Sequence, residues 1–210
     1  ATDVAAVDDT NDDEIYAGRG NNVMNGGAGV DTLAYTYETA GVTVNLSRTA
    51  LQATGGSGTD RIRAFVDLTG SPLADNLAGS SGANKLSGLG GNDVLRGLGG
   101  ADTLTGGGGN DVFRFDGVSH SGVTAGTRDV VTDFTRGQDR IDLRGIDANA
   151  ATAANEKFAF IGSDPFSSTD ASAQLRFEAG VLYGSTDADA DAEFSVALTG
   201  VSGLSAPDVY

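Results

Sequence analysis

GSPLADNLA-GSSGANKLS-GLGGNDVLR-GLGGADTLT-GGGGNDVFR, from Gly70 to Arg114, is five nonapeptides in unbroken phase. Three more run from Asp8 to Ala34 (DDTNDDEIY, AGRGNNVMN, GGAGVDTLA), and a ninth stands alone at 55–63 (GGSGTDRIR). Aligned, the sixth position reads Asp13, Asn22, Asp31, Asp60, Asp75, Asn84, Asp93, Asp102 and Asp111. The eighth reads Ile15, Met24, Leu33, Ile62, Leu77, Leu86, Leu95, Leu104 and Phe113. Positions 7–9 therefore form a three-residue strand with one side chain turned inward. Positions 1–6 form a turn in which glycine permits positive φ and lets carbonyls converge. An aspartate beside converging carbonyls offers hard oxygen ligands, which suit calcium. Zinc is a poor match, because the chain has no cysteine and a single histidine. Two repeats make one coil, so repeats i and i+2 stack with strands about 4.8 Å apart. Without an ion the facing carboxylates repel, so metal binding is expected to be coupled to folding.

Composition agrees. The chain has 210 residues, 13 Lys+Arg against 29 Asp+Glu, and a formal charge of −16. That balance argues against nucleic acid and anionic membrane as partners. No apolar run approaches the length of a membrane span. Ala1 to Thr10 has neither a basic nor an apolar region of the signal-peptide kind and does not begin with Met, which reads as a processed form or a fragment. Aromatic residues concentrate after residue 114 and glycines before it. The expected organisation is a roll over 1–114, interrupted by 35–69, and a C-terminal β-domain over 115–210.

The pattern G-G-x-G-x-D-x-U-x resembles the calcium-binding nonapeptide of RTX (repeats-in-toxin) proteins. The resemblance implies an all-β fold: a parallel, right-handed β-roll followed by a β-sandwich-like C-terminal cap. It also implies ligand sets for several calcium ions. One turn offers the carbonyls of positions 2 and 4 with its Asp, and the turn stacked above offers positions 1 and 3 with its own. One site would then use Leu89, Gly91 and Asp93 with Gly106, Gly108 and Asp111. A second would use Ser80, Gly82 and Asn84 with Gly97, Gly99 and Asp102. A third would use Asp75 and Asp93, and Asp13 would pair with Asp31. Gly26, Gly88 and Gly90 stand at the same ligand positions. Asn22 and Asn84 lack a charge, so weaker sites are expected there. Pro72 and Leu73 distort the turn at 70–75, and Asp8, Asp9 and Asn11 suggest a frayed first unit.

Beyond the repeats, GVTVNL (41–46) alternates as a strand does, and 35–69 reads as a bulge in the same roll. Residues 64–69 read as a short link, with Asp67 a solvated loop residue. The stretches Asp129-Val-Val-Thr-Asp-Phe134 and Gly137-Gln-Asp-Arg-Ile-Asp-Leu143 resemble the C-terminal domain of serralysin-type secreted metalloproteases. That resemblance makes Asp129 the ligand closing a calcium site at the end of the roll. Its usual Asp-Ser partner is replaced here by Ser119-His120-Ser121. FAFIG (158–162) reads as a strand, AQLRF (173–177) and GVLYG (180–184) as a hairpin, and EFSVAL (193–198) as a further strand. Asp187, Asp189 and Asp191 resemble the opening of an EF-hand loop, but Ala192 and Leu198 replace its glycine and glutamate, so a solvated turn is expected.

One histidine excludes H-E-x-x-H, and no G-x-S-x-G elbow supports a triad on His120, which reads as an exposed loop residue. Three functions stay open. The first is an extracellular calcium-binding module without a catalytic centre, which folds on binding calcium and supports type I secretion from a Gram-negative bacterium and the stability of a larger protein. Its partners would be calcium and the type I secretion machinery, and it would be a monomer. The second is a calcium-dependent module binding an extracellular polysaccharide, as in alginate epimerase R-modules and adhesins, with Arg61, Arg63, Arg96 and Arg114 as its basic strip. The third is the C-terminal part of a secreted protease, lipase or toxin.

Overall fold

A computed structural model describes residues 4–6 and 10–210. The strands are β1 (Val4–Ala6), β2 (Glu14–Tyr16), β3 (Val23–Asn25), β4 (Thr32–Ala34), β5 (Thr43–Asn45), β6 (Gln52–Ala53), β7 (Thr59–Arg63), β8 (Asp67–Thr69), β9 (Asn76–Ala78) and β10 (Lys85–Ser87). They continue with β11 (Val94–Arg96), β12 (Thr103–Thr105), β13 (Val112–Arg114), β14 (Asp129–Val131), β15 (Arg140–Asp142), β16 (Ala159–Phe160), β17 (Gln174–Glu178), β18 (Val181–Ser185) and β19 (Phe194–Leu198).

Consecutive short strands alternate between two walls and pair in parallel with the strand one coil away. One wall runs β2-β4-β8-β10-β12-β14 and the other β5-β9-β11-β13-β15, with β1-β3-β7-β6 as a separate sheet. The register is two nonapeptides wherever the repeat is unbroken: Lys85 pairs with Thr103, and Val94 with Val112. Each eighth-position residue faces the interior, from Leu33, Leu77, Leu95, Leu104 and Phe113 at 0% exposure to Ile15 at 7%. The parallel roll expected from the repeats is the observed architecture.

The insertion belongs to the roll. Strand β5 pairs with β9, β7 with β3, and β6 lies antiparallel against β7. The stretch expected to be a mere link contains β8, a full rung paired with both β4 and β10, with Leu68 inside. Sequence reasoning missed it because no glycine turn precedes it. Stacking also runs on past Arg114, since β14 pairs with β12 and β15 with β13.

The cap grows from one wall of the roll. Strand β19 pairs in parallel with β14, β18 and β17 follow as an antiparallel meander, and β16 adds parallel to β17. Phe177, Leu182, Phe194 and Val196 join the same buried cluster as the roll's leucines. Phe134 from the junction meets Phe113 at 6.2 Å. The last residues return to the roll. Val209 bridges to Ile141, the Tyr210 N–H donates to the Ile141 carbonyl (3.0 Å), and the Leu143 N–H donates to that of Tyr210 (2.6 Å).

Candidate metal centre

The sixth-position side chains form two ladders, one in each row of turns. In the first row the Asp13 N–H donates to Asp31 Oδ1 (2.9 Å), that of Asn84 to Asp102 Oδ1 (2.8 Å), and that of Asp102 to Asp129 Oδ1 (2.9 Å). In the second, Asn22 donates to Asp60, Asp75 to Asp93, Asp93 to Asp111, and Asp111 to Asp139. All four pairs expected from the sequence (Asp13 with Asp31, Asp75 with Asp93, Asn84 with Asp102, Asp93 with Asp111) are stacked neighbours. The ladder explains the aspartate: one carboxylate oxygen closes the backbone of the adjacent turn, where the sixth residue's N–H would otherwise be unsatisfied.

The other oxygen is the chemically informative one. In Asp31, Asp93, Asp102, Asp111 and Asp129, Oδ2 is buried and accepts no hydrogen bond, and these residues are at most 1% exposed. A buried carboxylate oxygen without a donor is costly, so each of these positions fits a cation. Carbonyls converge on the same place. A Cβ on Gly88 would lie 2.1 Å from Asp93 Oδ2 and 2.6 Å from the Gly106 carbonyl oxygen. Gly26, Gly97 and Gly106 back onto Oδ2 of Asp31, Asp102 and Asp111 in the same way, at 2.1–2.9 Å. First-position glycine is thus required by space beside the carboxylate as well as by backbone freedom.

Electrostatics reinforce the point. Burial pushes the Asp93 carboxyl up to about 7, with the charges of Asp75 and Asp111 adding to it. Burial raises Asp102 to about 6 and Asp129 to about 8, the latter helped by the charge of Asp102. Asp75 and Asp111 are raised too, first by burial. These carboxyls hold protons at unusually high pH unless a positive charge replaces them.

The carbonyl positions named from the sequence lie at the stacked turns. Leu89 O and Gly108 O each accept a backbone hydrogen bond across adjacent coils, from Gly108 and Gly91, and Ser80 O accepts one from Gly99. Gly90 forms a bridge with Gly108. Gly99 lies beside the stacked turn at Ser81, and Gly100 beside Gly82.

Several residues differ from expectation. Asp139, 3% exposed, ends the second ladder and went unnoticed, although Gly137, Asp139 and Ile141 repeat the spacing of positions 4, 6 and 8. Asp67 is buried at 8% and accepts the Lys85 N–H at 2.7 Å, because it opens strand β8 and does not sit in a solvated loop. Ser121 accepts the Asp129 N–H (2.7 Å) and donates to the Ser195 carbonyl (2.5 Å), so it ties the roll's last turn to the cap. His120 is half-buried, its Nδ1 accepting the Asp116 N–H at 3.3 Å. Val66 stands at a sixth position of the first row and offers no carboxylate. The expected frayed start at Asp8 and Asp9 lies outside the described residues.

Away from the roll, Asp187 and Asp189 sit in an exposed turn, where Glu193 joins them within 4.8 Å. Asp191 donates its backbone N–H to Asp189. On the outer face, Arg96 and Arg114 both pair with Asp116, at 3.8 and 2.6 Å. Among the described residues, no helix is long and apolar enough to cross a membrane.

The family model described as the peptidase M10 serralysin C terminal matches residues 6–209. No curated protein matches the chain. Among solved structures, the AlgE6R3 subunit of the Azotobacter vinelandii mannuronan C5-epimerase is similar, with 32% identity and a TM-score of 0.46. The match covers 69% of this chain and 76% of that one. The extracellular lipase LipA from Serratia marcescens is similar at 16% identity and a TM-score of 0.32; 97% of this chain spans 39% of the lipase.

Proposed function

Because the chain belongs to the serralysin C-terminal family of RTX-type, calcium-binding β-rolls, we propose that it is the calcium-gated folding and secretion module of a larger secreted protein. The observation that carries this reading is the set of buried Oδ2 atoms on Asp31, Asp93, Asp102, Asp111 and Asp129 without a hydrogen-bond donor. Calcium supplies the positive charge that such oxygens, aided by turn carbonyls, are suited to hold. Its ligands are drawn from the carboxylates of the two ladders and the carbonyls of the stacked turns.

Linkage then gives the mechanism. At low calcium the acidic chain gains too little from its small interior to oppose carboxylate repulsion, and it stays unfolded enough to thread a type I secretion channel. Outside the cell, calcium of about 10⁻³ M matches the affinity typical of extracellular calcium modules. Binding there becomes folding free energy.

Polysaccharide binding has less support. Two of the four arginines suggested for it, Arg96 and Arg114, are engaged by Asp116. Isothermal titration of the EDTA-stripped protein tests the reading. Calcium is expected to bind with millimolar or better affinity while magnesium does not. No calcium binding at several millimolar would overturn it.

A further inference from the structure

The nonapeptide turns are not equivalent, and one backbone angle divides them. In the turns ending at Asp31, Asp93, Asp102 and Asp111, the second residue is left-handed: Gly27 at φ +100°, Leu89 at +72°, Leu98 at +74° and Gly107 at +95°. These four aspartates all have a buried Oδ2 without a donor. In the turns ending at Asn22, Asp60, Asp75, Asn84 and Asp139, the second residue (Gly18, Gly56, Ser71, Ser80 or Thr135) is not left-handed.

Those five turns are closed by hydrogen bonds of their own. The N–H of Ser71 donates to Asp75 Oδ2 (2.6 Å), that of Thr135 to Asp139 Oδ2 (2.7 Å), and that of Ser80 to Asn84 Oδ1 (2.6 Å). Asp60 Oδ2 accepts the hydroxyls of Thr54 (2.6 Å) and Tyr35 (3.4 Å), both contributed by the insertion. The asparagines present a donor where the other turns present a bare oxygen. Asn22 Nδ2 donates to the carbonyls of Gly18 (2.6 Å) and Gly20 (3.4 Å), the second and fourth residues of its own turn. Asn84 Nδ2 donates to the Val66 carbonyl at 2.6 Å. An amide N–H is the positive end of a dipole, and it satisfies carbonyls that would otherwise face a cation.

The strain points the same way. Leucine is disfavoured in the left-handed region, and the sequence keeps it at both Leu89 and Leu98. Backbone outliers of this kind persist where function needs them.

We propose that the handedness of the second turn residue decides calcium occupancy turn by turn. Asp31, Asp93, Asp102 and Asp111 give their second carboxylate oxygen to calcium; Asp129, whose turn lies outside the nonapeptide series and has no left-handed second residue, closes the first row with its own bare oxygen. Asn22, Asp60, Asp75, Asn84 and Asp139 are built-in substitutes that take none. The roll then carries two calcium-dependent stretches, around Asp31 and from Asp93 to Asp129, separated by coils that close on their own hydrogen bonds. This inference rests on the calcium-module reading above and specifies its sites.

Native mass spectrometry of the whole chain, counting calcium at 1 mM free ion, tests it. Asp93→Asn, Asp102→Asn and Asp111→Asn are each expected to lose at least one ion, while Asp60→Asn, Asp75→Asn and Asp139→Asn keep the wild-type count. Leu98→Val disfavours the left-handed angle and is expected to lose calcium like Asp102→Asn, whereas Leu98→Gly retains it. Circular dichroism in calcium confirms that each variant is folded. If Asp60→Asn and Asp75→Asn lose ions as Asp93→Asn does, or Leu98→Val keeps the full count, the handedness rule fails while the calcium reading stands. A wild-type protein that takes up no calcium would overturn both.

Discussion

At the residue scale, each sixth-position aspartate has two duties. One oxygen holds the backbone of the neighbouring coil, and in five of the described residues the other is left buried and bare. The first-position glycines make room for it. Gly88→Ala would drive a Cβ against Asp93 Oδ2 and the Gly106 carbonyl. It should cost about 1–3 kcal/mol by overpacking, read as calcium-loaded thermal unfolding. Gly108→Ala meets nothing within 4 Å at a turn residue with no left-handed angle, and it should stay within about 0.5 kcal/mol.

The raised carboxyls also give a pH dependence. In the metal-free fold Asp93, Asp102 and Asp129 keep protons up to about 7, 6 and 8, mainly through burial. The unfolded chain releases the same protons near pH 4. The metal-free fold therefore loses stability as pH rises between about 4 and 8. Calcium takes the place of those protons, so its affinity should rise across the same window, by at least about tenfold from pH 6 to pH 8. Titration calorimetry at the two pH values checks this; equal affinities would contradict the assignment.

At the element scale, the strands were legible because their signal is local. A single apolar residue at position 8, flanked by polar ones and preceded by a glycine turn, marks each rung. The residues so marked, from Ile15 to Phe113, all face the interior. The elements that sequence reading missed lack the local mark. Strand β8 follows no glycine turn, and its Asp67 is buried only because Lys85 stacks on it eighteen residues later. Likewise Thr54 and Tyr35 complete the Asp60 turn through the insertion, at spacings no nonapeptide phase encodes. Asp139 was within reach, since its glycine and isoleucine keep the repeat spacing, but it follows Asp111 by 28 residues, one residue out of nonapeptide phase. The C-terminal strap offers a test at this scale. Tyr210 joins β15 and Leu143 through two backbone hydrogen bonds and lies 4.5 Å beneath the Arg144 guanidinium, while Asp208 accepts the Gly137 N–H. Removing residues 206–210 should cost at least about 2 kcal/mol, about 1 for each of the two backbone hydrogen bonds. That corresponds to about 4–8 °C in Tm for a chain of this size, with faster amide exchange confined to the edge around residues 137–144.

At the scale of the whole molecule, one hydrophobic cluster runs from Ile15 in the first coil to Leu198 in the cap. Most rungs of the roll put a single residue inside, with Tyr35, Val42 and Phe65 added by the insertion, so apolar burial there is modest and the formal charge of −16 opposes it. The cap is better supplied, with Phe158 and Phe194 in edge contact at 5.7 Å, and Ser121 and Ser195 join it to the last turns of the roll. Folding should accordingly start from the cap and proceed along the roll as ions bind, in the manner of stacked repeats that depend on their neighbours. The most direct measurement is far-UV circular dichroism of the EDTA-stripped chain during a calcium titration, with magnesium as control. The account predicts a cooperative gain of β-structure with calcium alone. A metal-free protein that already shows the full β-spectrum and does not respond to calcium would contradict it.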